Sequence, residues 1–400
     1  MRGIHRQKPD LNTLGAFHLE IYLDNCATTR VCPEAAEACM KAMTADYGNP
    51  SSLHKKGMEA EALVTAARRQ AARMLGCEPD CITFTGGATE SNNLAILGAA
   101  AAYPRAGKTV VTTAVEHPSV ARTVDALEER GYTVKRVSPR PDGNFDPQDF
   151  LDAVDADTFL LSMMLVNNEV GTVLPAETVA PALKRRFPRL LIHVDAVQGF
   201  AKYPLNLKRL EIDLLSFSGH KLYAPKGVGG LYVRKGVRLK PVLYGGGQEK
   251  GLRSGTQPVE LIAAMGAALA LCEKNRAAWQ AHYAALNARL REGLARLDRM
   301  PVNSPENSAP HLLNLSVLGV PSEIMLHFLE SKGISVSSGS ACAKGEKSAV
   351  LAAYGLPDER IRSALRVSFS RETTPEEIDA LLAALAEGAA RFRKMTGAGA

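Results

Sequence analysis

The segment CITFTGGATESNN, residues 81–93, joins a short apolar run to a glycine pair and then to a helical pattern. An apolar run of this length that ends in glycines predicts a strand, and the pattern after it predicts a helix from about Ser91. Similar pairs of apolar runs and amphipathic segments follow one another from about Glu34 onward. This alternation predicts an α/β fold with a mostly parallel central sheet.

The pattern along the chain predicts two domains and an N-terminal segment. A helical pattern from about Val259 to about Leu297 connects the domains and is predicted to break once, and GVGG (227–230) predicts a hairpin turn between two apolar runs. We expect the following division: an extension over 1–20, a segment over 21–33 that packs with the small domain, a large domain over 34–275 and a small α+β domain over 276–400.

Composition excludes several classes of protein. The chain has 400 residues, 46% hydrophobic and 22% charged, with 48 basic and 42 acidic residues scattered along it. This pattern is typical of a globular protein and argues against nucleic-acid binding. No apolar stretch approaches the ~20 residues that span a bilayer, so we expect no membrane partner.

The seven cysteines form an odd set without the spacing of a disulfide framework, which favours the reducing cytoplasm. Cys77 and Cys81 could form half of a metal site, but no matching Cys or His pair follows at zinc spacing. We therefore expect no metal, and packing or turn roles for these two residues.

Polar residues follow the ends of the predicted strands, where open α/β sheets bind their ligands. They are Gly86, Gly87, Ala88 and Thr89, then Glu116 and His117, Asn167 to Glu169, His193, Asp195, Gln198, Ser216, Ser218, His220 and Lys221.

Each of these residues alone has an ordinary explanation. GGATE can bind phosphate through N–H groups at a helix start, but a capped turn looks the same. Asp195 can hold a cationic nitrogen or serve as an N-cap, and a single histidine such as His117 is commonly a satisfied surface or core residue. Lys221 in SFSGHK is more specific, because an amine at a strand end can be desolvated and act as a nucleophile toward a carbonyl. A phosphate site, an aspartate, a histidine and a lysine at successive strand ends together fit pyridoxal 5′-phosphate.

The chain resembles the cysteine desulfurases, which belong to the class V aminotransferase-like group of pyridoxal phosphate enzymes with the aspartate aminotransferase-like fold. The resemblance extends from about Ile21 to about residue 390, with departures at Arg30 and Ser370. The motifs that carry it are YLDNCATT (22–29), GNPSSLH (48–54), GGATESNN (86–93), EH (116–117), NNEVG (167–171), HVDAVQ (193–198), SFSGHK (216–221), GGGQEKGLRSGT (245–256), SSGSACA (337–343) and RVS (366–368).

The resemblance implies a role for each matching residue. Lys221 would bond the cofactor aldehyde, Asp195 would pair with the pyridine nitrogen, Gln198 would bond the ring hydroxyl, and His117 would stack on the ring and act as acid and base. The phosphate would be held by Gly87, Ala88, Thr89, Ser218 and His220, with Thr256 of the partner subunit, which implies a homodimer. Asn168 and Arg366 would bind the substrate carboxylate.

Cys342 lies in SSGSACAKG (337–345), a stretch of small and polar residues with little for a thiol to pack against. We expect this thiol to take sulfur from L-cysteine as a persulfide, releasing alanine, rather than to be an inert core residue. The resemblance implies delivery to an iron–sulfur scaffold or a tRNA-thiolation enzyme. Alternatives on the same fold are a selenocysteine lyase or a class V aminotransferase; a noncatalytic scaffold is the alternative from another class.

Overall fold

The computed structural model describes residues 20–338 and 347–395. The described strands are β1 (Ile21–Tyr22), β2 (Ile82–Thr85), β3 (Thr109–Thr113), β4 (Thr133–Val137), β5 (Thr158–Met164), β6 (Leu191–Asp195), β7 (Leu214–Ser218), β8 (Gly229–Val233), β9 (Leu312–Ser316), β10 (Ile334–Ser335), β11 (Ser337–Ser338) and β12 (Ala364–Ser368). The described helices are α1 (Pro33–Thr44), α2 (Lys55–Leu75), α3 (Ala88–Ala102), α4 (Pro118–Glu128), α5 (Pro147–Ala153), α6 (Ala176–Arg186), α7 (Leu207–Leu210), α8 (Val259–Ala295), α9 (Ser322–Ser331), α10 (Ala349–Ala353), α11 (Asp358–Arg362) and α12 (Pro375–Met395).

Seven strands form the large sheet in the order β2-β8-β7-β6-β5-β3-β4. Strand β8 is antiparallel to both of its neighbours, and the other pairings are parallel. All seven residues of β5 are buried, as expected for a parallel strand covered on both faces. The predicted α/β fold with a mostly parallel central sheet is confirmed.

A second sheet contains β11, β12 and β9, all antiparallel. The N-terminal strand β1 pairs in parallel with β10, and Asp24 forms a bridge to Ser368 at the end of β12. Ile21 and Leu23 are buried in the same apolar cluster as Leu313 and Leu365. The N-terminal segment is therefore part of the packing around the second sheet.

Helix α8 corrects one prediction, because it runs unbroken for 37 residues. Its buried residues up to Cys272 belong to the core of the large sheet, and those from Tyr283 onward belong to the core of the second sheet. Trp279 packs against both clusters. Cys272 and Tyr283 are about three helical turns apart, so the same face of α8 is buried first in one core and then in the other.

The predicted hairpin turn at GVGG is wrong. Strands β7 and β8 do pair antiparallel, but Gly229 and Gly230 lie within β8, and the connection runs over residues 219–228. A Cβ atom at Gly230 would lie 2.3 Å from a ring carbon of Phe217, so this glycine is required by packing and not by a turn.

Helix α3 begins at Ala88, three residues before the predicted start. Its N-cap is Gly87, whose φ of 152° is rare for other residues. Within the described part of the chain, no helix has both the length and the apolar character needed to cross a membrane.

Candidate active site

Lys221 lies in a short 3-10 turn, Gly219–Lys221, directly after β7. Its Nζ donates to the carbonyl oxygens of Cys26 and Ala27, at 2.7 Å for Ala27. Burial, opposed by Cys26 and reinforced by the nearby cations Arg366 and Lys202, lowers the pKa of Lys221 to about 8. The amine is thus held by backbone carbonyls in a place that disfavours its charged form.

The segment that supplies these carbonyls is fixed on both sides. Thr29 donates through both its backbone N–H and its hydroxyl to the carbonyl of His220, at 2.9 and 3.0 Å. On the other side, the backbone N–H of Cys26 donates to the Ser368 hydroxyl at 2.8 Å. The turn with Lys221 is therefore joined to the second sheet through residues 24–29.

Asp195, the last residue of β6, is buried, and burial raises the pKa of its carboxyl. Its Oδ2 accepts from Asn92 Nδ2 at 2.8 Å and its Oδ1 accepts from the backbone N–H of Val197 at 3.0 Å. Asn92 also donates to the Ser119 hydroxyl at 2.8 Å. These bonds fix the carboxylate in one orientation at the end of the sheet.

The same chain of bonds orients His117, the N-cap of α4. Its Nδ1 accepts from the backbone N–H of Ser119 at 3.1 Å and lies 2.8 Å from the Ser119 hydroxyl. With Nδ1 as the acceptor, the neutral ring carries its proton on Nε2. Burial lowers the pKa of His117, an effect opposed by Asp195, and the residue still has an exposed edge.

Two of the predicted phosphate residues, Ser218 and Gly87, lie close together at the start of α3. Ser218 pairs with Gly229, and a Cβ atom at Gly229 would lie 2.8 Å from Gly87 Cα. Helix α3 starts at Ala88, directly after Gly87, and there is open space where a Gly87 side chain would be. His220 lies next to Lys221, and its ring Nδ1 is 3.3 Å from the Thr28 hydroxyl.

Gln198 is buried and donates through Nε2 to the Cys26 carbonyl at 3.1 Å. Its Oε1 is buried without a hydrogen-bond partner among the described residues. An unpartnered buried amide oxygen beside the Lys221 turn, N–H donors at a helix start and a buried carboxylate are together the groups that a pyridoxal phosphate ring, its nitrogen and its phosphate require. The residues present fit this cofactor.

Arg366 on β12 holds two partners. Its Nη2 forms an ion pair with Asp24 Oδ1 at 2.8 Å, and its Nη1 donates to the backbone carbonyl of Asn168 at 3.0 Å. Its Nε is buried without a partner in the described part of the chain. The structure thus brings Arg366 and Asn168 together and adds Asp24 to them.

Thr256 is exposed, in the loop before α8. Arg253 in the same loop forms an ion pair with Glu90 of α3 at 2.8 Å, which keeps the loop beside the start of α3. Cys342, the predicted sulfur acceptor, and most of the N-terminal extension lie outside the described residues.

Comparisons with known proteins agree with this site. A family model described as aminotransferase class-V matches residues 21–381. The chain belongs to the class V aminotransferase family. The cysteine desulfurase IscS of Serratia proteamaculans is 42% identical to it over 386 residues, which are 94% of this chain and 95% of that protein.

Two solved structures are similar over most of the chain. A NifS-like protein gives a TM-score of 0.87 at 37% identity, covering 92% of this chain and 99% of that chain. A NifS-like protein from Rickettsia africae gives 0.82 at 29% identity, with the same coverage. The predicted relationship to the cysteine desulfurases is confirmed, and this class V group generally depends on pyridoxal phosphate.

Three further residues of the candidate active site received no role from the sequence alone: Asp24, Asn92 and Glu116. All three lie within the motifs YLDNCATT, GGATESNN and EH, which is the signal that could have found them. Glu116 is buried; its Oε1 accepts from Thr113 Oγ1 at 2.6 Å and from the Met164 N–H at 2.9 Å, whereas its Oε2 has no partner among the described residues.

Glu116 predicts a pH-dependent stability. Burial, the largest cause, raises the pKa of Glu116 from 4.5 to about 8. The folded state therefore holds this proton more tightly than the unfolded state, and its contribution to stability is lost as the pH rises from about 4.5 to about 8. In urea unfolding, the free energy of unfolding of Glu116→Gln, taken relative to that of wild type, should increase by about 1 to 3 kcal/mol as the pH rises from 5 to 8.5. Glu61→Gln, on the exposed face of α2, is the control, and parallel pH profiles for Glu116→Gln and wild type would contradict this assignment.

Proposed function

We propose that the protein is a cysteine desulfurase that converts L-cysteine to L-alanine and transfers the sulfur to Cys342. The observation that carries the proposal is the desolvated Lys221 amine at the end of β7, beside a buried aspartate and an ordered histidine. The similarity to IscS supports the choice of L-cysteine as the substrate.

Pyridoxal 5′-phosphate is the proposed cofactor, and when bound it supplies an electron sink for the α-carbon of the amino acid. Lys221 would hold its aldehyde carbon, Asp195 its ring nitrogen and Gln198 its ring hydroxyl, with His117 against the ring. Gly87, Ala88, Thr89, Ser218 and His220 would hold the phosphate; the helix start after Gly87 and the pairing of Ser218 with Gly229, close to Gly87, support this assignment.

Lys221 would move the proton at the substrate α-carbon. With a pKa of about 8, the amine is neutral in about a tenth of the molecules at pH 7, whereas an ordinary lysine is neutral in far fewer. The carbonyls of Cys26 and Ala27 keep Nζ at the strand end through this change, because a neutral amine still donates to them.

Arg366 would bind the substrate carboxylate together with Asn168. The guanidinium has five N–H donors, and the Nε donor is buried without a partner in the described part of the chain. Asp24 fixes the orientation of this guanidinium before the substrate enters.

The sulfur step needs an acid–base group and a thiolate. We assign the first role to His117, whose Nε2 can exchange a proton with the substrate thiol, and the second to Cys342. The Cys342 thiolate forms an S–S bond to the substrate sulfur while the carbon–sulfur bond breaks, and the β-carbon gains a proton. The products are alanine and a persulfide on Cys342, so no outside oxidant or reductant is needed.

The active form is proposed to be a homodimer in which Thr256 of the partner subunit completes the phosphate site. Thr256 is exposed on its own protomer, as a residue that works in a neighbouring site must be. Large apolar side chains are also exposed, among them Leu53 at 96% and Tyr244 at 82%.

The persulfide on Cys342 would be delivered to an acceptor protein, either an iron–sulfur scaffold or a tRNA-thiolation enzyme. We place the enzyme in the cytoplasm. Six thiols are free among the described residues, which fits a reducing compartment.

If Cys342 accepts the sulfur, a variant without its thiol should still bind the cofactor but should not transfer sulfur. Cys342→Ser should keep the absorbance of bound pyridoxal phosphate but lose the added sulfur on its peptide after exposure to L-cysteine, and alanine formation should fall at least about 100-fold. Mass spectrometry and an alanine assay measure both, with Cys39→Ser, which removes a half-buried thiol, as the control. Alanine and sulfide release at the wild-type rate from Cys342→Ser would reject the mechanism; the same assay with selenocysteine tests the lyase alternative.

The shared site predicts complementation between two inactive chains. A mixed dimer of Lys221→Ala and Thr256→Ala chains contains one site with both native residues and one with neither. An equal mixture, unfolded and refolded together, should recover roughly a quarter of the wild-type activity, because half of the dimers are mixed and each has one intact site. Light scattering checks the dimer. Activity no higher than the mean of the two separate variants would show that Thr256 acts in its own subunit.

A further inference from the structure

A second lysine lies directly behind the Lys221 turn. Lys202 follows β6 and is half-buried, and its Nζ donates to the backbone carbonyl of Lys221 at 3.3 Å. Its own backbone carbonyl accepts from Gln280 Nε2 of α8 at 2.7 Å. Lys202 is thus fixed to the long helix on one side and to the turn that carries Lys221 on the other.

Lys202 is a cation without a carboxylate partner among residues 20–338 and 347–395. By contrast, Lys184 elsewhere in the large domain has its Nζ 2.5 Å from Asp213 Oδ2. The Lys202 side chain lines a small cavity with Lys221, Tyr223, Cys272 and Arg276. A half-buried cation without a carboxylate beside it is partly desolvated at a cost in free energy, so a structural role alone explains it poorly.

Among the described charged groups that face Lys221, Lys202 is the one whose charge no neighbouring carboxylate balances. The N-terminal segment contributes Asp24 and the Cys26 thiol, and β12 contributes Arg366. Asp24 and Arg366 form an ion pair and largely cancel each other. Asp195 and His117 at the sheet end interact with each other as well as with Lys221.

The other groups around Lys202 do not neutralise it. They are the thiols of Cys26 and Cys272, the imidazole of His311, whose two ring nitrogens are buried without a partner among the described residues, and the guanidinium of Arg276, which lines the same cavity. Burial, opposed by the two thiols, lowers the pKa of Lys202 as it does that of Lys221, so the two amines compete for one positive charge. Burial, with Lys202 as a further cause, keeps the pKa of His311 well below its ordinary value, so this ring is neutral.

We propose that Lys202 is a positioning residue for Lys221: it anchors the Lys221 backbone through its carbonyl, and its positive charge disfavours a proton on the Lys221 amine. Two amines that share a poorly hydrated site repel each other when both are charged, and a nearby cation is one of the ways by which a lysine becomes nucleophilic at neutral pH. Burial as the largest cause, with Lys202 as a further one, holds the pKa of Lys221 at about 8. The catalytic role of the neutral amine rests on the proposed function, whereas the effect of Lys202 on the protonation of Lys221 does not.

The test measures the reactivity of the Lys221 amine directly. The full-length protein, stripped of any cofactor, is labelled briefly with acetic anhydride between pH 6 and 10, and the acetylated Lys221 peptide is quantified by mass spectrometry. The exposed Lys55 in the same sample is the internal reference. Lys202→Met removes the charge and keeps the length of the side chain, whereas Lys202→Arg retains the charge.

We expect Lys202→Met to label Lys221 about three- to tenfold more slowly than wild type at pH 7, with the difference vanishing near pH 10. Lys202→Arg should label at nearly the wild-type rate, a rescue that loss of packing would not give. Unchanged labelling in Lys202→Met, or equal slowing in Met and Arg variants that melt like wild type, would overturn the proposal.

If Lys202→Met does not fold, Lys202→Gln supplies an uncharged side chain that still donates to the Lys221 carbonyl, and the same two outcomes decide. Because the labelling uses neither cofactor nor substrate, its result is independent of the desulfurase assignment. If the protein has no desulfurase activity but shows the charge-dependent labelling, the proposed role of Lys202 is supported and only the proposed function is contradicted.

Discussion

The contact on which the rest of the site depends is the one between the Lys221 amine and the carbonyl oxygens of Cys26 and Ala27. Carbonyl oxygens hold an amine in place without stabilising its positive charge as strongly as a carboxylate would, so burial can lower its pKa to about 8. This arrangement requires residues 24–29 to be bound on two sides at once, to the His220 carbonyl and to the end of β12. The segment after the first strand and the last strand of the described chain thus support one amine at the end of β7 in the large sheet.

Other polar groups of the site are also oriented by hydrogen bonds to neighbouring side chains. Asn92 on α3 joins the Asp195 carboxylate to Ser119, and Ser119 fixes the acceptor nitrogen of His117. Asp24 does the same for Arg366. Asp195, His117 and Arg366 therefore each have a neighbour that sets their orientation before anything binds, which is the arrangement that efficient catalysis requires.

Much of the fold could be predicted from the sequence, because short apolar runs alternate with amphipathic helices and because the polar residues stand where the strands end. The contribution of Asp24 could not, since its partner Arg366 is 342 residues away and only the folded chain brings the two together. Lys202 was missed for a similar reason, because its environment comes from α8 and the Lys221 turn. The break predicted in α8 and the turn predicted at Gly229 and Gly230 were wrong where packing against another element decided the local structure.

The central claim is that the ε-amine of Lys221 bonds the aldehyde of pyridoxal phosphate. Borohydride reduction of the protein loaded with pyridoxal phosphate, followed by peptide mass spectrometry, tests it most directly, because reduction makes this bond permanent. The account predicts the reduced pyridoxyl group on the peptide that contains Lys221, and on the Lys202 and Lys226 side chains only at the level of exposed lysines. A Lys221 peptide without the added group, from protein that carries the cofactor, would contradict it.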